Sequence, residues 1–287
     1  MKIITIVLLA CFSTAAIGQT TRMGDYHLDQ EYKMNEKGMI SLRCSDARVF
    51  ITGSKRANVH VKIDREVESK GFVMGDEEFT VKVEEQNGDL VIEERKSSNV
   101  SIVGYYNEKF TVNIEAPAGV SLRIRGDDGD YFITTIHGAI DMDLDDADVE
   151  LAGCDGDNFV FRIDDGDIKM DKGRGSLELS ADDADVEIQN ARFSKINAGL
   201  DDGDFIVQTS LEDNGDYYID SQDGSIFFTV AGGGGKFDIR HDDATVRSDA
   251  AFETVEKSDE RTRLTLGTGT AKVDIRADDA RVRLAKQ

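Results

Sequence analysis

Aspartates set at fixed spacing are the residues of this sequence best suited to chemistry. A frame, x-Asp-(Gly/Ala)-x, starts at positions 45, 127, 145, 164, 182, 201, 222, 242 and 278. In five consecutive copies its first and fourth positions are also acidic: Asp127 and Asp130, Asp145 and Asp148, Asp164 and Asp167, Asp182 and Asp185, Asp201 and Asp204. Clustered carboxylate oxygens are what calcium coordinates. Carboxylates stacked one layer apart repel by roughly 1 kcal/mol per pair even in water, so a cation would relieve them. The competing reading is solvated charge, which also keeps β edges from aggregating. The fourth position becomes Ser225, Thr245 and Arg281 in later copies, so the frame itself does not require acid there. Neither the glycine-rich nonapeptide of calcium β-rolls nor an EF-hand loop is present. Calcium at these ten aspartates, with no other cofactor, is therefore one expectation and solubility charge the other.

The second position is aspartate in all nine copies: Asp46, Asp128, Asp146, Asp165, Asp183, Asp202, Asp223, Asp243 and Asp279. An aspartate here can accept hydrogen bonds from backbone N–H groups just ahead of it and close a corner. The third position is always Gly or Ala. Alanine at positive φ would cost about 1–2 kcal/mol, so smallness at a tight corner is the expected reason for that slot.

Catalytic constellations are weak. His27, His60, His137 and His241 are scattered, and Cys44 has the parity of a core residue. No serine elbow, zinc spacing or phosphate loop occurs, and Gly232 to Gly235 read as a turn before a strand. Arg240, Arg247, Arg276 and Arg283 could line one face of the last repeats. They alternate with Asp238 and Asp274, however, and cross-strand ion pairs explain them equally well. The chain is expected to be non-enzymatic. The alternative is a calcium-dependent carbohydrate-active enzyme or carbohydrate-binding protein on a β-helix scaffold.

The elements that must position these residues are strands. Around 164 the apolar positions are Phe159, Phe161 and Ile163, then Ile168 and Met170. Period two on each side marks strands with one face buried. The parity flips between Ile163 and Ile168, which predicts a corner between two strands rather than one continuous strand. Units of this kind bury their apolar face only by stacking, so the fold class is all-β, a β-solenoid. From 127 to 242 the frames recur every roughly 18–21 residues, a period that predicts one coil per frame. Gly at 129, 166 and 203 alternates with Ala at 147 and 184, which would suit a double coil of about 37. The stretch between the frames at 45 and 127 is expected to hide weaker copies such as Asn87-Gly88-Asp89-Leu90. The last interval, in which 236–247 recurs as 272–283, should be two units with a degraded frame near Ser258-Asp259-Glu260. An N-terminal β region, 19–120, is expected to run into the acidic repeat of 121–287.

Residues 1–18 combine Lys2, an apolar run from Ile3 to Ala10 and a small-residue exit, the pattern of a secretory signal. Cleavage would start the mature chain at Gln19; a lipidation box ending at Cys11 is the rival. Past this leader no segment is apolar enough for a membrane span. The expected location is periplasmic, outer-envelope or secreted, where Cys44 and Cys154 could pair or remain buried thiols. The net charge of −23 excludes nucleic acid and anionic membranes as partners, leaving a protein or a glycan.

With its repeats in view, the chain resembles the bacterial putative-adhesin family of exported domains of unknown function, and is similar to the head domains of putative auto-transporter adhesins. The matching stretches are 45–63 (SDARVFITGSKRANVHVKI) and 110–124 (FTVNIEAPAGVSLRI), followed by Gly-Asp coils such as Gly129-Asp130 and Gly203-Asp204. The resemblance covers most of the chain beyond the leader and implies an envelope or surface β-solenoid, with no catalytic residues to carry over. This chain departs from it by placing Asp-Asp where a small polar residue is common.

Overall fold

The computed structural model describes residues 21–22 and 25–287, so the leader, Cys11 and Gln19 lie outside the described residues. Every regular element among these residues is a strand, and none of them forms a helix long and apolar enough to cross a membrane. Strands β1 (Thr21–Arg22) and β2 (Tyr26–Lys33) precede β3 (Met39–Cys44) and β4 (Ala47–Ser54), which make the first coil. A cap follows: β5 (Asn58–Met74), β6 (Glu77–Gln86), β7 (Asp89–Ser98) and β8 (Ser101–Pro117). Next come four long strands that turn corners, β9 (Ser121–Thr134), β10 (Ile140–Ala152), β11 (Asn158–Asp171) and β12 (Arg174–Asp202). Shorter strands finish the stack: β13 (Asp204–Ser210), β14 (Asp216–Ser221), β15 (Ser225–Gly232), β16 (Gly235–His241) and β17 (Thr245–Ser248). The last four are β18 (Phe252–Lys257), β19 (Arg261–Leu266), β20 (Ala271–Ala277) and β21 (Arg281–Lys286).

The alternation seen in the sequence becomes a two-sided coil. In β10, Ile140, Met142 and Leu144 point inward on one side of the corner, and Ala147, Val149 and Leu151 on the other. Ladders are parallel and in register: Ile140 faces Phe159, and Phe159 faces Leu177. Each partner lies one frame further along the chain, which fixes the coil at a single frame and not the double coil. The corner also differs from expectation. Asp146 pairs with Asp165, and pairing resumes beyond it, so the strand bends without breaking. Each neighbouring coil makes the same bend, and backbone donors and acceptors therefore keep their partners across it. Returning turns contribute Ile136, Cys154 and Leu211 to the same core, and β12 adds Phe193. Cys44 and Cys154 are both buried and both free, so no disulfide links them.

Three sequence expectations about order fail, the first two for one reason. Two small turn residues beside an aspartate serve a hairpin as well as a coil corner. Asn87-Gly88 is the two-residue turn of the antiparallel β6–β7 hairpin, with φ of 56° and 91°. Residues 258–260 are the turn between β18 and β19, which pair antiparallel. Finally, β20 and β21 insert between β14–β15 on one side and β16–β17 on the other. The repeat of 236–247 at 272–283 thus joins adjacent rungs, Lys236 facing Lys272 and Thr245 facing Arg281. One side is closed at its last end by β19, antiparallel to β16, and at its first end by β7, which runs parallel to β3 and forms an antiparallel hairpin with β6. At the first end the other side is covered by β8 on β4, with β5 against β8.

Candidate functional site: a polar groove beside the corner ladder

The corner aspartates form columns along the stack. Asp128 faces Asp146, which faces Asp165, which faces Asp183. These second-position carboxylates are exposed, and among the described residues none accepts a hydrogen bond from a corner N–H. Stacking strips some water from Asp128 and sets it near the carboxylates of Asp46 and Asp146, which raises its pKa. Asp202 is raised in the same way, by lost water and by Asp183 and Asp223.

The backbone bonds at the corner go to the fourth position instead. Asp167 N–H donates to Asp148 Oδ1 at 3.1 Å, and Asp204 N–H to Asp185 Oδ1 at 2.8 Å. Both donors follow a glycine and both acceptors follow an alanine. That pairing explains the Gly/Ala alternation. Gly129, Gly166 and Gly203 adopt positive φ (144°, 114° and 111°), whereas Ala147 and Ala184 do not and bury their methyl groups. A Cβ on Gly166 would lie 2.3 Å from the Ala147 carbonyl oxygen. Smallness alone is thus the wrong account of the third slot: the four glycines among its nine occupants, Gly224 included, all take positive φ. At the first coil the partner of Asp130 is cationic, with Arg48 Nη2 2.7 Å from Asp130 Oδ2.

The ten outward carboxylates proposed for calcium stand around these corners, Asp130, Asp167 and Asp204 half-buried and the others exposed. Among the described residues no group of three or more His, Cys, Asp or Glu side chains is placed to hold a metal ion. The histidines stay apart. His27 pairs with Asp64 and His60 with Asp29 on the cap, while His241 Nε2 lies 3.1 Å from Thr262 Oγ1. Arg240 and Arg276 do sit on adjacent rungs, and Asp238 binds Arg261 of the closing strand rather than either.

Where the cap meets the first coils, a groove of about 490 Å³ opens next to Asp127. Its walls carry Arg43, Ser45, Glu94, Lys96, Arg125 and Asp143. Glu94 takes both donors of Ser45, the N–H at 2.8 Å and the hydroxyl at 2.9 Å. Arg125 is shared between Asp141 and Asp143, each at 3.2 Å. Lys96 reaches back to Glu108 at 3.0 Å and so ties the groove to a buried network beneath the cap. There Arg65, with no exposed side-chain surface, binds Glu108 and Glu77 and lies 4.3 Å over the Phe79 ring. Burial alone would raise Glu108; hydrogen bonds from Arg65, Tyr106 and Lys96 outweigh it and hold the carboxyl at about 2. The groove walls come from β3, β7, β9 and β10, brought together by the ladders of β3 with β7 and β9. Sequence reasoning found only Asp127 among them. The outward alternation of Arg123 and Arg125 against Asp141 and Asp143 was the available signal.

This coil geometry, capped at one end and closed by antiparallel strands at the other, coincides with a known sequence pattern. The pattern described as Toastrack DUF4097 matches residues 38–284. The chain belongs to the Toastrack DUF4097 family. Among solved structures the Toastrack chain is similar to a "putative adhesin" from Bacteroides fragilis NCTC 9343, at 14% identity over 90% of this chain and 96% of that one, with a TM-score of 0.46. A "putative adhesin" from Parabacteroides merdae ATCC 43184 shares 10% identity over 90% and 95%, with a TM-score of 0.34. A "putative cell adhesion protein" from Clostridium sporogenes ATCC 15579 shares 12% over 91% and 100%, with a TM-score of 0.26. No curated protein matches the Toastrack chain.

Proposed function

We propose that this Toastrack chain is an exported, non-enzymatic binding or scaffold module of the cell envelope or surface, and that the groove between cap and first coils takes its partner. The observation that carries the reading is the groove's lining. Donors and acceptors of both signs converge from four strands on a rigid stack, at a volume that suits a small ligand or a segment of a larger one. Arg43 is exposed there and, among the described residues, has no carboxylate within ion-pair distance, so it is available to a ligand. Such polar, two-sign walls suit a hydroxyl-rich glycan or a polar protein loop. Residues 1–18, read as a signal, support export.

The test uses the purified chain on arrays of bacterial surface glycans and on immobilised envelope proteins. Binding of a defined partner should fall at least about tenfold in Arg43→Ala and in Asp143→Ala, a loss of roughly 1.4 kcal/mol. A control at Arg263 on the far end should bind normally. If every partner survives both groove substitutions, the groove is not the site. Release of reducing ends from an acidic polysaccharide would overturn the non-enzymatic part and favour the carbohydrate-active alternative.

A further inference from the structure

The outward face of the second side of the coil, away from the groove, carries its charge in a directional order along the stack. Along one column the residues on successive rungs are Asp185, Asp204, Ser225, Arg281 and Thr245. The next column reads Glu187, Ile206, Phe227, Arg283 and Arg247. Acid therefore occupies one end and arginine the other, with Phe227 on the middle rung. Arg247, Arg281 and Arg283 are exposed, and among the described residues none has a carboxylate within ion-pair distance. Ile206, also outward, is 39% exposed. In a chain of net charge −23, three exposed guanidinium groups on neighbouring rungs without a carboxylate at hand form a local basic end that complements the acidic end of the same face.

We propose that this face pairs with the same face of a second copy, in reversed rung order, about a two-fold axis running along the Phe227 strand. The operation keeps each column over itself and inverts the order of rungs. Asp204 then faces Arg281 of the second copy, Glu187 faces Arg247, Ile206 lies against the Arg283 stem, and Phe227 meets its own equivalent. Every contact off the axis occurs twice, and the Phe227 pair on the axis once, as a two-fold interface requires. The sequence of rungs favours a second copy over an unrelated acidic partner, because acid and arginine sit at equal distances on either side of Phe227. Among the described residues β17 pairs with β21 alone and is the last rung on this side, so the reversed overlap ends where the sheet ends.

Five rungs at about 4.8 Å, each about five residues long at 3.3 Å, cover roughly 400 Å² per copy. An area of that size belongs to weak, transient contacts, so the pairing should appear at micromolar or higher concentrations and fade with salt.

Sedimentation velocity of the whole chain, over a concentration series at low and at high ionic strength, reads the pairing directly. Wild-type protein should show a dimer at low salt that is lost at high salt. Arg281→Asp and Asp204→Arg, each alone, place like charges opposite one another and should each weaken dimerisation at least about tenfold. The double variant Arg281→Asp/Asp204→Arg restores opposite charges across the axis and should return the dimer to near wild-type affinity. Circular dichroism on each variant separates loss of pairing from loss of fold, and a wrongly folded single is replaced by Arg247→Glu with Glu187→Arg. A chain that stays monomeric at low salt overturns the proposal. So does a dimer that ignores the single reversals, or one that the double variant fails to restore.

Discussion

Gly166→Ala tests the reason for the alternating corners. Gly166 sits at φ 114°, where a residue with a side chain is penalised by about 1–2 kcal/mol. Its new Cβ would also lie 2.3 Å from the Ala147 carbonyl oxygen, an overlap between backbone-fixed atoms that no rotamer relieves. Overpacking of this kind costs about 1–3 kcal/mol. The chain could escape by adopting the alanine-type corner, but Asp167 N–H would then lose Asp148, at a cost of about 1 kcal/mol. Held at its present φ the variant should lose about 2–5 kcal/mol, the sum of the first two penalties, whereas a corner free to convert would lose only about 1 kcal/mol. The comparison is Ala147→Gly on the neighbouring rung. It loses one buried methyl, about 0.8 kcal/mol, and adds the entropy of glycine, about 0.5–1 kcal/mol. Urea unfolding followed by far-UV circular dichroism gives both values, with the slope checked for partial unfolding of the stack. If Gly166→Ala costs no more than Ala147→Gly, positive φ is not what the glycine corners need and the account of the alternation fails.

Three other perturbations follow from the same contacts. Asp128 and Asp202 have folded pKa values above the ordinary 3.8, so the folded state binds more protons than the unfolded chain in the interval above that value, and their ionisation opposes folding at neutral pH. Lowering pH through that interval should therefore cost wild type less of its urea midpoint than Asp128→Asn/Asp202→Asn, while Glu108, held at about 2, and the lowered Asp29, Glu84 and Asp238 lose their contributions in both. A midpoint that falls steadily from pH 8, equally in wild type and in Asp128→Asn/Asp202→Asn, would refute this. Arg65→Met strands Glu77 and Glu108 under the cap and should cost about 3–5 kcal/mol, with part recovered by adding Glu77→Gln and Glu108→Gln; a cost near zero would show the network is solvated. At matched ionic strength, magnesium and calcium should raise the midpoint equally by screening the corner columns. A rise specific to calcium and lost in Asp164→Asn/Asp167→Asn would make those carboxylates a metal site.

Strand existence was legible in the sequence because each coil buries one face of period two, and the parity flip marked every true corner. The alternation of Gly with Ala was visible as well, but its cause was not. The cause lies in a hydrogen bond between coils, from Asp167 to Asp148, that neither coil's own sequence can reveal. The order of rungs was hidden for a similar reason. Pairing between segments as remote in the chain as Ile226 and Val282 leaves no local mark. The likeness of 236–247 to 272–283 did carry information, since similar segments stack well in register, but spacing alone read it as two rungs instead of one. The groove was the least legible feature. Arg43, Glu94, Arg125 and Asp143 become neighbours only after β3 settles between β7 and β9.

The insertion of β20 and β21 between two earlier strand pairs has a temporal side. A stack that grew rung by rung along the chain would leave each new pair a finished platform. Among the described residues β17 pairs with β21 alone, and β16 with β19 and β20, so in the folded stack neither docks on β14 or β15 directly. During synthesis β16 and β17 emerge well ahead of the rung that must sit beneath them, because Lys236 precedes its partner Lys272 in the chain. Until that rung arrives, β14 and β15 expose a waiting edge shaped for a parallel strand. The closing step is therefore a wedge driven into a gap rather than a lid set on an end. Its speed decides how long that gap stays open to the wrong strand.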